Sequence, residues 1–277
     1  MFPKAILFDL DDTLFDHQHA SNIALIAMHA EHAGDVEFAP FATKHHEVLE
    51  EFHRHFLDGK YTLDQARVAR MKVLFASFGR DIDDDKALAA AALYRTQHQS
   101  NRQLLPGARE LLDALHSTLQ ATTRLGIVTN NSTVEQHEKL RALDIARYFD
   151  TIIISEDAGV SKPDPRIFGL ALERIGVHAD EAVMIGDNWH NDIQGALDAG
   201  MTAVWLNRKI NEQTPAPARS PGHFSPASRA NTGVSNENLV EIASLEPLDT
   251  VFAAIKKAFT KRIPGVTHNE QLETLAP

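Results

Sequence analysis

Short apolar runs and helical repeats divide the chain into regions of different character. The first run, Ala5 to Phe8, is unbroken and ends at an acidic cluster, which is typical of a strand buried on both faces of a parallel sheet. Helical spacing then takes over from residue 16 to about residue 100. We predict four helices there: one around 23–28, one around 48–56, one capped by Thr62 and ended by Gly79, and one over 83–94. The pattern indicates a small all-helical module inserted after the first strand.

The region that begins near Leu105 alternates between strand and helix patterns. The spacing predicts strands over 125–128, 151–154, 182–185 and 202–206, with helices over 108–119, 133–143, 163–175 and 192–199. Such alternation indicates βαβ units. The predicted fold class is therefore α/β, a Rossmann-like, doubly wound parallel sheet with the all-helical module inserted.

The pattern stops after the fifth predicted strand. Residues 211–238 are rich in Pro, Ser, Gly and Asn and hold few apolar anchors, which predicts a disordered or flexible insert. A last strand is expected over 239–245 and an amphipathic closing helix over 248–259. The tail, residues 263–277, is expected to be loose.

Composition limits the classes of function. The 277-residue chain has a formal net charge of -11 and no Cys. The negative charge argues against a nucleic-acid partner, and the absence of Cys excludes disulfides and thiol catalysis. The N-terminal apolar run is too short for a signal peptide, and no stretch is long enough to span a bilayer, so no membrane partner and a cytoplasmic location are expected.

Polar residues of catalytic type follow four of the predicted strands. Asp9 and Asp11 follow the first, Thr129 the second and Asp187 the fourth, while Lys162 lies in the loop after the third. Because the carboxyl ends of parallel strands meet at one edge of a sheet, these residues are expected to converge on a site. Asp9, Asp11 and Asp12 repel one another, and a hard divalent cation with oxygen ligands is the simplest means of holding them. An acidic turn is the alternative, and the convergence disfavours it.

These segments resemble the four ordered motifs of the haloacid dehalogenase-like superfamily. The resembling segments are residues 9–13, Thr129-Asn130, Lys162-Pro163, and Gly186-Asp187 with Asn191-Asp192. The helical module lies where the subfamily with an α-helical cap carries that cap. The resemblance implies a core formed by residues 1–15 and 101–262 and a cap formed by residues 16–100.

The resemblance also implies a role for each matching residue. Asp9 would be the nucleophile that forms an aspartyl-phosphate intermediate, and Asp11 the general acid and then base. Magnesium would be held by Asp9, the backbone carbonyl of Asp11 and Asp187, with Asp192 behind these ligands. The Thr129 hydroxyl and the Asn130 backbone amide would bind the phosphoryl group, and Lys162 would neutralise charge on that group and on Asp9.

Asp11 favours a phosphatase among the activities of this superfamily. Its dehalogenases lack an acidic residue two positions after the nucleophile, because a halide leaves without a proton. We therefore expect a magnesium-dependent phosphatase acting on a small phosphorylated metabolite. A phosphomutase of the same fold is the first alternative and a 2-haloacid dehalogenase the second. Outside enzymes, the alternatives are a receiver-like domain and a catalytically silent phosphate-binding protein.

The sequence leaves the substrate open. Residues 154–163 and 185–196 are similar to family members that act on nucleoside monophosphates and on acylneuraminate phosphate. A nucleoside monophosphate and a sugar phosphate are therefore candidate substrates. The oligomeric state, monomer or dimer, is left open as well.

Several polar residues of the helical module have two interpretations. His45, His46, His53 and His55 fit a solvated surface better than a metal site, because neighbouring pairs point to different helix faces. His17 and His19 follow the first motif closely, so one of them is a candidate to face the substrate. Arg67 and Arg70 either bind a substrate anion or lie on a solvated helix face. Trp189 either flanks the site or packs against the core.

Overall fold

The computed structural model describes residues 2–208 and 238–260. The predicted insert at 211–238 lies outside the described residues except for Asn238, and the predicted loose tail at 263–277 lies wholly outside them. Within the described ranges, no helix is both long and apolar enough to cross a membrane.

The core is a single sheet of six parallel strands. They are β1 (Ala5–Phe8), β2 (Arg124–Thr129), β3 (Thr151–Ile154), β4 (Ala182–Gly186), β5 (Thr202–Leu206) and β6 (Leu239–Ile242). The order across the sheet is β3-β2-β1-β4-β5-β6. The chain therefore winds in one direction from β1 to β3 and in the other from β4 to β6, which confirms the predicted doubly wound fold and puts β1 beside the point of reversal.

Ten α-helices accompany these strands in the described residues. They are α1 (His17–His32), α2 (Phe38–Leu57), α3 (Leu63–Ala76), α4 (Asp84–Ser100), α5 (Ala108–Leu119), α6 (Thr133–Ala142), α7 (Ser155–Ala158), α8 (Pro165–Ile175), α9 (Gly195–Asp198) and α10 (Leu248–Thr260).

The two faces of the sheet carry separate hydrophobic clusters. Ile6 and Phe8 of β1 pack with α5 and α10 on one face. Ala5 and Leu7 pack with α8 on the other. All four β1 residues are fully buried, because successive side chains of a strand point to opposite faces and helices cover both.

The first four helices, α1–α4, form a unit that we call the helical block, and it has its own hydrophobic cluster. Thr62 caps α3, as predicted, and the structure adds a capping box with Gln65. Asp83 caps α4 by accepting a hydrogen bond from the Lys86 amide. That helix continues six residues beyond the predicted end at Tyr94, and His98 in the added part is buried with its ring 5.7 Å from that of Phe15 in the core.

Other predicted elements also differ in the structure. Residues 155–158 form α7 where a strand-end loop is predicted. The helix predicted over 192–199 begins earlier, as a π-helical turn over Trp189–Gln194, because the Asn188 side chain caps it by accepting from the Asn191 amide. The last strand ends at Ile242 instead of 245, since β5 offers no pairing partner beyond Leu206.

Candidate active site

The strand ends converge on one cavity of about 310 Å³ between the sheet edge and the helical block. All the predicted site residues line this cavity: Asp9, Asp11, Thr129, Asn130, Lys162, Asp187 and Asp192. The parallel sheet accounts for this convergence, because β1, β2 and β4 are adjacent and present their carboxyl ends to the same edge.

Lys162 is buried between two carboxylates. Its Nζ lies 2.5 Å from Oδ1 of Asp9 and 2.6 Å from Oδ1 of Asp192. Burial alone would lower the pKa of Lys162, but the two carboxylates outweigh burial and raise it. The site therefore holds a permanent positive charge directly beside Asp9.

Three carboxylates surround this ammonium and crowd one another. Oxygens of Asp9, Asp187 and Asp192 all lie within 4.8 Å of one another. Burial raises the pKa of Asp9 to about 7, with Asp192 and Asp11 adding to the rise and Lys162 opposing it. Burial, together with Asp192 and Asp9, also raises the pKa of Asp187. A second cation would relieve this repulsion, and an all-oxygen donor set fits a hard divalent ion such as magnesium.

At the end of β4, the Asp192 side chain lies close to the backbone of Gly186. A Cβ on Gly186 would overlap the side chain of Asp192. Asp192 is also held by the Asn188 amide, which donates to Oδ2 at 2.9 Å. The absence of a side chain at Gly186 therefore lets Asp192 lie beneath the strand end and reach Lys162.

Two residues of α6, Gln136 and Lys139, hold Asp11, and neither is predicted from the sequence. Nζ of Lys139 lies 2.6 and 2.8 Å from the two oxygens of Asp11, and Nε2 of Gln136 donates to Oδ2 at 3.0 Å. Burial would raise the pKa of Asp11, but Lys139 outweighs it and the pKa lies well below its usual range. The available signal is their spacing of three residues, which places both on one face of a helix that starts just after Thr129.

The loops after β2 and β3 are joined through Asn130. Its side chain donates to the Lys162 carbonyl at 2.9 Å and accepts from the Lys162 amide at 2.8 Å. Gln136 donates to the Thr129 hydroxyl at 2.7 Å. The resemblance implies that the backbone amide of Asn130 binds the phosphoryl group. The structure shows in addition that the Asn130 side chain positions Lys162.

The helical block forms the opposite wall of the cavity, and its histidines differ from the prediction. His45 is buried and His53 is half-buried and lines the cavity, so the prediction of a solvated surface is wrong for both. The hydrophobic cluster of the block explains this, because helix packing turns these faces inward. His17 also lines the cavity, with its Nδ1 3.3 Å from Nε2 of His98. Trp189 packs against Trp205 at 4.9 Å between ring centroids.

A carboxylate of α6, Glu135, joins the core to the helical block. Its Oε1 accepts from Nη2 of Arg67 on α3 at 2.7 Å and from Nη2 of Arg95 on α4 at 3.3 Å. Its Oε2 lies 3.8 Å from Nη2 of Arg102. These contacts, which sequence pattern does not indicate, fix both helices against the strand ends.

The family model of haloacid dehalogenase-like hydrolases matches residues 3–200. The chain is a haloacid dehalogenase-like hydrolase. This membership confirms the resemblance drawn from the four motifs and accounts for their common sheet edge.

Relatives in this hydrolase family include phosphatases. The chain is 32% identical over 206 residues to glyceraldehyde 3-phosphate phosphatase of Pyrococcus abyssi, covering 73% of this chain and 81% of that one. It is 38% identical over 110 residues to pyrimidine 5'-nucleotidase YjjG of Escherichia coli, covering 39% and 47%. The solved structure of the HAD-hydrolase YfnB from Bacillus subtilis, bound to magnesium, is similar with a TM-score of 0.68 and 26% identity, covering 91% and 100%.

Proposed function

We propose that this hydrolase is a magnesium-dependent phosphatase that releases phosphate from a small phosphorylated metabolite. The observation that carries the proposal is the joint placement of Asp9, Asp11 and Lys162 at one cavity, with Lys162 2.5 Å from Asp9. Asp9 supplies a nucleophile, Asp11 a proton donor and acceptor, and Lys162 a fixed charge for the phosphoryl oxygens.

The reaction divides into two displacements on phosphorus. An oxygen of Asp9 attacks phosphorus, the bond from phosphorus to the substrate oxygen breaks, and Asp11 gives that oxygen a proton. Asp11 then takes a proton from water, whose oxygen attacks phosphorus and breaks the bond to Asp9. Aspartate is regenerated and inorganic phosphate leaves.

The contact between Asp11 and Lys139 bears on both displacements. The ion pair holds Asp11 in the ionised form, which is the form that accepts a proton from water. To act as the acid, Asp11 must carry a proton when the substrate binds. It must therefore either separate from Lys139 or become protonated beside it. Lys139 is therefore a positioning residue in this proposal.

Asp9 and Asp187 would hold the magnesium ion, together with the Asp11 carbonyl, and Asp192 would hold Lys162 beside them. When bound, the ion supplies charge for the transferring phosphoryl oxygens. The crowding of Asp9, Asp187 and Asp192 supports this assignment, as do the raised pKa values of Asp9 and Asp187. A magnesium-bound relative, YfnB, agrees with it.

The substrate is proposed to be a small phosphate ester because of the relatives and the cavity size. The relatives named above act on glyceraldehyde 3-phosphate and on pyrimidine nucleotides, by their names. We propose the helical block as the cap that encloses the substrate, and residues 16–100 as its extent. The cytoplasmic location stays a prediction.

Phosphate release from a panel of metabolites tests the proposal. The panel holds sugar phosphates, nucleoside monophosphates, phosphoglycolate and p-nitrophenyl phosphate, each with magnesium and with chelator. Release that requires magnesium and is lost in Asp9→Asn supports it. Asp58→Asn, which changes an exposed carboxylate on the helical block, is the matched control.

Other outcomes distinguish the alternatives. Transfer of the phosphoryl group within the substrate, without release, would indicate a phosphomutase. Halide release from a 2-haloacid would indicate a dehalogenase. Stable binding without turnover of any compound, by folded protein, would indicate a silent binding protein and contradict the proposal.

A further inference from the structure

The cavity has a second positively charged wall, formed by arginines of the helical block. Arg67, Arg70 and Arg95 line it from α3 and α4, across from the strand ends that hold Asp9 and Lys162. Their chemical partners differ, and that difference singles out Arg70.

Arg67 and Arg95 have carboxylate partners. Arg67 pairs with Asp64 and Glu135, and Arg95 pairs with Glu135. Within residues 2–208 and 238–260, no carboxylate lies within ion-pair distance of Arg70, although this residue is only 9% exposed. Its Nε has no hydrogen-bond acceptor. Burying a charge without a partner is costly, so this arrangement implies an anion that the described residues do not supply.

The Arg70 guanidinium is held in place by an aromatic ring. Its Cζ lies 5.1 Å from the centroid of the Tyr94 ring. Tyr94 is itself packed between His45, at 5.0 Å, and His98, at 6.3 Å. A guanidinium fixed on a packed ring loses little freedom when it binds, which favours recognition of a planar, two-oxygen group.

Arg67 adds a second positive charge near Arg70. Burial lowers the pKa of Arg70, as does neighbouring Arg67, while Tyr94 opposes them. A carboxylate or phosphate at this position would remove that destabilisation. The cavity volume suits a compact ligand that reaches from the strand ends to α3.

We propose that Arg70 is a specificity-determining residue that binds a second oxyanion of the substrate, distal to the phosphoryl group that is transferred. The inference rests on the proposed phosphatase function and narrows its substrate class to phosphate esters with a second anionic end. That end is a carboxylate or a second phosphate, which present the same oxygens to the guanidinium fork.

Matched substrates test this class directly. Glycerol 3-phosphate has a neutral hydroxymethyl end, 3-phosphoglycerate a carboxylate in the same place, and glycerol 1,3-bisphosphate a second phosphate. We expect kcat/KM to be higher than for glycerol 3-phosphate with one or both of the substrates that carry a second anionic group. The substrate with the larger preference identifies the oxyanion.

Three variants show which residue causes the preference, defined as the ratio of kcat/KM for the substrate with a second anionic group to kcat/KM for glycerol 3-phosphate. Arg70→Met should lower that preference about 10- to 100-fold, mainly through KM, because a hydrogen-bonded charge is lost away from the reacting atoms. Arg70→Lys should retain part of it, since the charge stays while the fork is lost. Arg54→Met removes an exposed guanidinium from α2 and should change nothing.

A stability measurement separates ligand binding from a structural role. Arg70→Met should raise the melting temperature, because an unpaired buried cation is replaced by an apolar side chain of similar length. In an Asp9→Asn background, 3-phosphoglycerate or the bisphosphate should stabilise the protein and bind measurably by calorimetry, and Arg70→Met should weaken that binding. A lower melting temperature for Arg70→Met with an unchanged substrate preference would overturn the proposal.

The outcomes also separate this inference from the phosphatase proposal. Release from p-nitrophenyl phosphate with an unchanged preference in Arg70→Met contradicts the role of Arg70 and leaves the phosphatase proposal standing. No release from any compound, with Arg70-dependent binding of the second anion retained, contradicts the phosphatase proposal and supports the anion site.

Discussion

Lys139 places its ammonium 2.6 and 2.8 Å from the two carboxylate oxygens of Asp11. The lysine is almost fully buried, at 2% exposure, and its charge keeps the pKa of Asp11 well below its usual range. A residue of α6 therefore sets the protonation of a residue that follows β1. The sequence does not show this relationship, since the two residues are 128 positions apart.

Removing that ammonium should shift the pH dependence of turnover. In Lys139→Met the pKa of Asp11 rises, so its ionised form is lost at a higher pH as the solution is acidified. The acidic limb of the plot of kcat against pH should therefore shift to higher pH by at least about one unit. Lys139→Arg should keep the limb near its original position, and Lys86→Met, on an exposed part of α4, is the control. An acidic limb at the wild-type pH in Lys139→Met would contradict the acid–base role of Asp11.

Loss of the Glu135 carboxylate should loosen the helical block. Glu135→Gln removes the charge that Arg67 and Arg95 share, and we expect a loss of about 1–3 kcal/mol in the free energy of unfolding. KM should also rise, because α3 and α4 carry one wall of the cavity. Chemical denaturation and steady-state kinetics measure the two effects. Glu51→Gln, an exposed change on α2, should show neither.

A methyl group at Gly186 should displace Asp192. Gly186→Ala is expected to lower the free energy of unfolding by about 1–3 kcal/mol, since the added Cβ overlaps the Asp192 side chain. Turnover should fall too, because Asp192 holds Lys162 beside Asp9. The matched control is Gly169→Ala on α8, where a Cβ meets nothing within 4 Å. That change should be neutral or stabilising by up to about 1 kcal/mol.

Magnesium should stabilise the protein by relieving the crowding of Asp9, Asp187 and Asp192. At a free concentration of 100 times its Kd, the gain should be about 2.7 kcal/mol. Asp187→Asn should raise the melting temperature of the metal-free protein and abolish most of the magnesium-dependent rise. Thermal unfolding with and without chelator measures both. A full magnesium response in Asp187→Asn would contradict the proposed ligand set.

Buried histidine should make the helical block sensitive to acid. Burial, with Arg70 and His46 adding to it, lowers the pKa of His45 to about 3 from 6.5. Between these two values the unfolded chain binds a proton that the folded protein does not, so the free energy of unfolding falls as pH decreases. The decrease is about 1.4 kcal/mol per pH unit from this residue. It is absent above pH 6.5, where both states are neutral.

His45→Leu should flatten that dependence. The free energy of unfolding, measured from pH 7 to pH 5 by denaturant titration, should decrease less steeply in this variant than in the wild-type protein. His46→Leu changes an exposed neighbour on α2 and should leave the slope close to that of the wild-type protein. Equal slopes for all three proteins would mean that His45 gains its proton without unfolding.

Much of the fold could be predicted because its signals are local. The apolar run at β1, the Thr62 cap and the strands β3 and β5 depend on adjacent residues, and β3 and β5 are observed with the predicted bounds. The core residues of the site could be predicted as well, because parallel strand ends meet at one edge. The start of the π-helical turn depends on the cap made by Asn188, and the end of β6 depends on where β5 ends. The local sequence pattern does not record these contacts.

The sequence by itself determined the doubly wound sheet, the position of the helical insertion and the residues at the strand ends, since periodicity and motif order record them. Only the tertiary structure decided that Lys139 pairs with Asp11, that Glu135 joins core to block, and that Arg70 is buried without a carboxylate partner among the described residues. These depend on packing between segments far apart in the chain. Burial and partner distance, which set pKa values and charge compensation, exist only once those segments have met.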